Sequence, residues 1–256
     1  MKKEETRFEA STVFEGMTSI RAVIRSLENG IGDRKIIRIL YDSSKQKKHA
    51  KELGWLSYKS QALGFEMKAV SDDVLSSLTT GNSHGGIIAE CTERNIPMLS
   101  ADKLPEKGFF VLLEGIEDPY NFGYTLRSLY ACGADGVILS PRNWMSAAGV
   151  VCRSSAGASE LLPMYECDPV EAVVVFRKCS YRIICAGIRD SVSSFDADMK
   201  KPLFLIVGGE KRGISSALLD ASDQIVRIDY GREFAGSLST ASAASMLAYE
   251  VLRQNR

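Results

Sequence analysis

The chain has 256 residues, with 32 Lys plus Arg against 32 Asp plus Glu and only two histidines, a length that suits one large domain or two modest ones at roughly 100–200 residues each. A hydrophobic fraction of 45% beside 25% charged residues excludes intrinsic disorder, and no apolar run approaches the roughly 18 residues of a membrane span. The balanced charge speaks against a uniformly basic nucleic-acid binder, and residues 1–7 carry charges with no apolar core behind them, so a cytoplasmic protein without a signal peptide is expected.

In chain order, Ser19–Leu27 reads as a helix stopped by Asn29-Gly30. Lys35–Leu40 is a strand, Ser44–Leu63 mostly helix, Phe65–Val70 a short strand, Ser71–Leu78 a capped helix and Gly86–Glu90 another strand. The stretch Cys91–Gly108, with Pro97 and Pro105, has the composition of a linker. Strands are then expected at Phe109–Gly115, Gly136–Leu139, Tyr181–Ala186, Leu203–Val207 and Gln224–Ile228. Helices are expected at Asn121–Cys132, Met145–Ser154, Pro169–Cys179, Ser215–Ala221 and Thr240–Arg253. Continuously apolar strands alternating with helices predict a mostly parallel sheet covered on both faces. The organisation is thus two α/β domains, residues 1–95 and 109–256, joined by a linker over 96–108.

The residue types narrow the chemistry. Six cysteines at 91, 132, 152, 167, 179 and 185 form no C-x-x-C pair and have no histidine beside any two of them, so no metal is expected. Cys132, Cys179 and Cys185 lie among apolar residues and read as small core residues. With only His49 and His84 available, a histidine triad is hard to assemble, and His84 reads as a turn or packing residue. Charge is uneven along the chain: Arg34–Lys59 holds eight basic residues against Asp42 and Glu52, either a phosphate-binding surface or a solvated helix face.

Three segments carry candidate chemistry. Pro119–Arg127 follows the strand ending at Gly115, with Asn121 placed to cap a new helix, Gly123 allowing close backbone approach, and Phe122, Leu126 and Leu129 forming a core stripe that leaves Arg127 outside it. Glu114, Glu117 and Asp118 nearby could hold a cation or simply form a solvated loop. Leu203–Gly213 is a strand running into a glycine-rich loop, which can present backbone N–H groups to a ligand at the carboxyl end of a sheet. It has neither G-x-G-x-x-G nor a Walker A ending, and a tight turn explains its glycines equally well. Gly236–Ala244 begins a final helix whose small face (Ala241, Ala244, Ser245, Ala248) permits close packing.

The order of these segments says more than any one of them. N-x-G-x-x-x-R at Asn121–Arg127, then G-x-E-x-x-G at Gly208–Gly213, then Ser237-Leu238 before a terminal small-residue helix resembles the SpoU family of RNA ribose 2′-O-methyltransferases, of the SPOUT class. The similarity spans about Phe109–Arg253, and Arg153–Ala158 resembles the family's segment between the first two motifs. Phe14-Glu15-Gly16 and His84–Ala89 resemble a substrate-binding domain, akin to certain ribosomal proteins, that is often fused to it. The resemblance implies a C-terminal trefoil knot, a homodimer, S-adenosylmethionine as cofactor and rRNA or tRNA as partner. It implies that Gly208, Gly209, Ile228, Ser237 and Leu238 line the cofactor site, that Arg127 acts on the ribose 2′-hydroxyl, and that Asn121 and Glu210 organise the site. Arg34, Lys35, Lys45, Lys47, Lys48 and Lys51 would contact RNA phosphates.

Such chemistry suits a histidine-poor chain, because the methyl group arrives already activated on a sulfonium. Positioning the 2′-oxygen in line can contribute on the order of 7–11 kcal/mol in the best oriented systems. A guanidinium stays protonated, so Arg127 would stabilise the forming alkoxide, and the base is left unassigned. The third motif departs from the family's usual S-L-N-V-S: Ser239 stands where Asn is usual and Ala241 where Ser is usual. That departure motivates an alternative, a catalytically degenerate RNA-binding or ribosome-assembly protein on the same fold. A Rossmann-type nucleotide-dependent enzyme is a third reading, without its phosphate fingerprint.

Overall fold

The computed structural model describes residues 12–79, 84–140, 147–209 and 212–256. They form two compact units, one from the described residues of Met1–Asn95 and Asn143–Leu161, the other from those of Ile96–Arg142 and Leu162–Arg256.

The first unit is built on a four-stranded mixed sheet with order β1-β4-β2-β3: β1 Val13–Glu15, β2 Ile36–Asp42, β3 Glu66–Val70 and β4 Ile87–Cys91. β4 pairs antiparallel with β1 and β2, and β2 pairs parallel with β3. Helix α1, Gly16–Glu28, buries Ile20, Val23 and Ile24 on one stripe and ends at Asn29 ahead of Gly30, which takes the left-handed conformation at φ 65°. Helix α2, Ala50–Leu63, buries Leu53 and Leu56, and α3 is Asp72–Leu78. His84 is a buried turn residue: its Nδ1 accepts the Gly86 N–H at 3.1 Å.

Residues 147–161 belong to this unit as well. Helices α5 (Ala148–Ser154) and α6 (Ala158–Leu161) belong here, and Ala148 and Cys152 join the core of Phe14, Ile20, Val23 and Leu56. The sequence division therefore differs from the packing: 147–161 lies within the expected 109–256 domain but packs with the N-terminal residues. The reason is a set of buried contacts that no local pattern encodes. Arg34 is only 3% exposed; its Nε donates to Glu160 at 3.1 Å, its Nη1 to the Thr92 carbonyl at 2.7 Å, and its guanidinium carbon lies 4.6 Å from the Phe14 ring centroid. Arg153 pairs with Glu15 at 2.7 Å, and Arg94 donates to the Ser159 carbonyl at 2.7 Å.

The second unit is a seven-stranded sheet of order β7-β6-β5-β10-β8-β11-β9 in which every neighbouring pair is parallel. Its strands are β5 Phe109–Glu114, β6 Gly136–Leu139, β7 Met164–Glu166, β8 Arg182–Ala186, β9 Val192–Ser193, β10 Leu203–Gly208 and β11 Gln224–Arg227. Residues 96–108 are part of this unit rather than a linker beside it: the Leu99 N–H donates to the Glu166 carbonyl, and the Tyr181 hydroxyl to that of Pro105. Helices α4 (Pro119–Ala131), α7 (Pro169–Lys178), α8 (Ser216–Asp220) and α9 (Thr240–Gln254) complete it, with α4 packed on α9. Phe122, Leu126 and Leu129 form the expected buried stripe of α4. Cys185 is buried as expected, but Cys132 and Cys179 are only half-buried. Burial pushes the Cys91 and Cys185 thiols up to about 12, and the Cys152 thiol upward as well, which leaves them inert near neutrality.

Gly157 shows how tightly 148–161 is docked. Its φ is +87°, and a Cβ there would lie 2.5 Å from the Ala22 Cβ on α1. Gly157→Ala is expected to destabilise the first unit by about 1–3 kcal/mol through overpacking, read as a lower denaturation midpoint at unchanged slope.

Candidate active site

The carboxyl ends of parallel strands are where loops diverge and leave a crevice. Here the ends of three adjacent strands, β10, β8 and β11, open on one cavity of about 570 Å³. Its walls are Ala186–Asp190 after β8, Val207–Gly209 at the end of β10 and Val226–Ile228 with Tyr230 after β11, closed by Ser237, Leu238 and the first turns of α9. That volume lies within the range of about 300–1,000 Å³ typical of small-molecule sites.

Glycine makes the floor possible. A Cβ on Gly209 would collide with the Gly115 carbonyl at the end of β5, and one on Gly208 would lie 2.5 Å from the Gly213 carbonyl carbon. These residues are glycines because two stretches of backbone touch there, so the bland turn explanation does not suffice. The Ser215 N–H donates to Glu114 Oε2 at 2.9 Å, which uses that carboxylate to hold the loop rather than a cation. On the opposite wall the Thr240 hydroxyl donates to the Gly208 carbonyl at 3.0 Å, clipping the start of α9 to the glycine turn. Ser239 is the N-cap of α9, its Oγ accepting the Ser242 N–H at 3.2 Å. Serine and asparagine cap comparably, so the change at 239 leaves the helix start intact.

The structure thus brings Gly208, Gly209, Ile228, Ser237 and Leu238 together around one cavity, although they come from separate motifs. Glu210 lies outside the described residues. Asn121 and Arg127 sit on α4 and are not among the residues lining the cavity; six residues apart, they project about 120° from each other around the helix. Asn121 is not the cap: Asp118 is, its Oδ1 accepting the Asn121 N–H at 2.8 Å, with Pro119 in the first turn. Arg127 is exposed and pairs with no described residue, on the same face as exposed Tyr120 and Tyr124.

The basic stretch divides in two. Arg34 is a core residue and offers no surface charge, because Glu160 and Thr92 consume its donors. Lys45 is held between Asp42 at 3.0 Å and Asp72 at 2.8 Å, and the Ser44 hydroxyl with the Lys45 ammonium lowers the Asp42 carboxyl to about 2. Lys35, Lys47, Lys48 and Lys51 are exposed, and none of their side chains pairs with a described residue. Sequence reasoning missed the Ala186–Asp190 wall and Thr240. The first follows the expected strand Tyr181–Ala186, where the carboxyl-end rule would have pointed. Among the described residues no group of three His, Cys, Asp or Glu side chains could hold a metal ion, and no helix is long and apolar enough to cross a membrane.

Removing one partner of a buried pair leaves an uncompensated charge. Arg34→Met is therefore expected to lower unfolding free energy by about 3–5 kcal/mol, measured by chemical denaturation, while Lys47→Ala, Lys48→Ala and Lys51→Ala together leave stability unchanged.

Comparison with known proteins places the chain in a family. Residues 108–249 match the model of the SpoU rRNA Methylase family, and residues 15–97 match that of the RNA 2'-O ribose methyltransferase substrate-binding domain. A putative TrmH family tRNA/rRNA methyltransferase, YacO of Bacillus subtilis, is 26% identical over 91% of this chain and 93% of its own length. The 23S rRNA (guanosine-2'-O-)-methyltransferase RlmB of Shewanella oneidensis is 27% identical over 77% of this chain and 82% of its own. Among solved structures, the SpoU methyltransferase AviRb of Streptomyces viridochromogenes, in complex with AdoMet, superposes with a TM-score of 0.73 at 26% identity, over 94% of this chain and 89% of that one. The chain belongs to the SpoU rRNA methylase family.

Proposed function

We propose that this protein transfers a methyl group from S-adenosylmethionine to a ribose 2′-hydroxyl of rRNA or tRNA. The observation that carries the reading is the meeting of Gly208, Gly209, Ile228, Ser237 and Leu238 at one cavity at the carboxyl ends of three parallel strands. The cavity fits the cofactor chemically. Bare backbone at Gly208 and Gly209 offers N–H and C=O groups, Ile188, Ile225, Leu238 and Leu247 offer apolar walls, and Asp190 and Asp220 offer carboxylates for an ammonium or ribose hydroxyls. When bound, the cofactor supplies a methyl group already activated by a sulfonium charge.

The chain's own part is to hold the acceptor oxygen in line and to stabilise charge as the 2′-proton leaves. Arg127, exposed and without a described partner, is the group assigned to the forming alkoxide. Lys35, Lys47, Lys48 and Lys51 supply unpaired positive charge in the domain matched as substrate-binding. The trefoil knot and the homodimer belong to the same reading. The second is supported by exposed Tyr120 and Tyr124 on α4 and exposed Met246 and Tyr249 on α9, two helices that pack together, since clustered exposed apolar side chains mark interaction surfaces. Ala241, which lacks the hydroxyl usual at its position, favours the alternative of a non-catalytic RNA-binding or assembly protein.

Calorimetric titration with S-adenosylmethionine separates the two readings, since tight binding is expected of the enzyme and none of the degenerate form. Mapping 2′-O-methylation across rRNA and tRNA with and without the protein should show one lost site, and an unchanged map would sink the enzymatic reading. Arg127→Ala should lower the single-turnover methylation rate by about 10²–10³, with S-adenosylmethionine affinity unchanged.

A further inference from the structure

The loop between β11 and α9 carries two aromatic rings, Tyr230 on the cavity wall and Phe234 against it. Tyr230 is on the cavity wall, and its hydroxyl accepts the Leu238 N–H at 3.3 Å, which draws the loop closed. Phe234 is 61% exposed, with its ring centroid 5.8 Å from that of Tyr230 and the planes tilted by 57°. The exposed ring is seated, because a Cβ on Gly236 would lie 2.6 Å from Phe234 Cζ. The facing loop after β8 presents Ile188, also largely exposed. Nothing in the core requires these side chains, and exposing them to water is unfavourable.

Charge does not explain what they meet. On the two loops that carry these rings Arg189 and Arg232 are matched in number by Asp190 and Glu233, and the Arg227 guanidinium pairs with Asp229 at 2.9 Å, while exposed Arg212 stands on the third loop, between the lining residues Gly209 and Gly213. On these two loops a polyanion meets no net charge, so attraction there comes from apolar and π faces.

We propose that Phe234, backed by Tyr230, is a stacking platform for the base of the nucleotide that is methylated, and that the target is therefore an unpaired nucleotide in a loop, bulge or single-stranded segment. The proposal rests on the methyl-transfer reading. A 2′-oxygen placed in line with a methyl group in the cavity puts the base of the same nucleotide at the cavity's rim, where the rings stand. A base paired within a helix has its faces covered by its neighbours and cannot stack on a side chain, whereas an unpaired base can. Stacking tolerates any base, since every base has a π face, so Phe234 selects for strand state and leaves sequence choice to other groups.

The test uses the full chain saturated with S-adenosylhomocysteine and an RNA of about 12 nucleotides, within the site size of single-strand binders, carrying a central 2-aminopurine. This RNA is offered single-stranded and annealed to its complement. Wild type is expected to quench the single strand and not the duplex. Phe234→Ala should abolish the quench and weaken single-strand affinity about tenfold, Phe234→Trp should restore both, and Phe234→Leu should not. The tenfold loss should be equal at about 50 and about 200 mM salt, whereas loss from the Lys47, Lys48 and Lys51 triple alanine variant should depend steeply on salt. Unchanged melting of the Phe234 variants shows that they fold. Equal quenching of duplex, a leucine variant as good as tryptophan, or weakened S-adenosylmethionine binding in Phe234→Ala would each overturn the proposal, the last because it assigns the ring to the cofactor. A wild-type chain that binds no S-adenosylmethionine sinks the methyl-transfer reading; one that binds it and fails to quench sinks only the stacking platform.

Discussion

The second unit depends on a contact between bare backbones. At the end of β10 the chain passes so close to Gly115 after β5, and to Gly213 in its own turn, that neither Gly209 nor Gly208 can carry a Cβ. Gly208 pairs opposite Glu114 at the top of the parallel ladder. The Glu114 carboxylate then reaches the Ser215 N–H beyond the glycine turn, and the Thr240 hydroxyl reaches the Gly208 carbonyl from the other side. Three chain segments far apart in sequence are thereby joined at one point, and the cavity is the space they leave. A larger side chain at the joint would separate strand from helix before it touched any ligand.

The first unit solves a different problem, that of keeping a guanidinium in an apolar core. Burying a charge is costly unless it is paired and its donors are satisfied, and Arg34 meets that condition through Glu160, Thr92 and the face of Phe14. Lys47, Lys48 and Lys51 are exposed on the turn before α2 and on α2 itself, and their side chains pair with no described residue. The even overall charge of the chain is thus an average over groups with different duties: some lock the interior, some cancel in pairs, and a few face solvent unpaired.

Much of this was legible in the sequence where a single period governs a long segment. Phe109–Leu113 and Leu203–Val207 are unbroken apolar runs because a parallel strand is covered on both faces, and their pattern needs no partner to be read. The cap of α4 was read three residues late: Asn121 and Asp118 are both capable caps, and Pro119, which favours the first helical turn, points to Asp118. Strands of two or three residues such as β1, β7 and β9 are too short to show any period. The cavity could not be read from its glycines alone, since a turn and a close approach of backbones ask for the same residue. Arg34 and Lys47 look alike in a list of basic residues, and only tertiary burial separates them.

The excursion of 148–161 bears on how this chain could be divided. The family matches part it between residues 97 and 108, whereas by packing the first unit takes the described residues up to Asn95 and again those of 147–161. A fragment cut at the seam suggested by sequence would strip Glu160 from Arg34 and Cys152 from the core around Phe14. The two halves are consequently not interchangeable modules. Exchanging the N-terminal half between relatives would require exchanging a loop of the other half with it, which couples the inheritance of substrate recognition to that of the catalytic sheet.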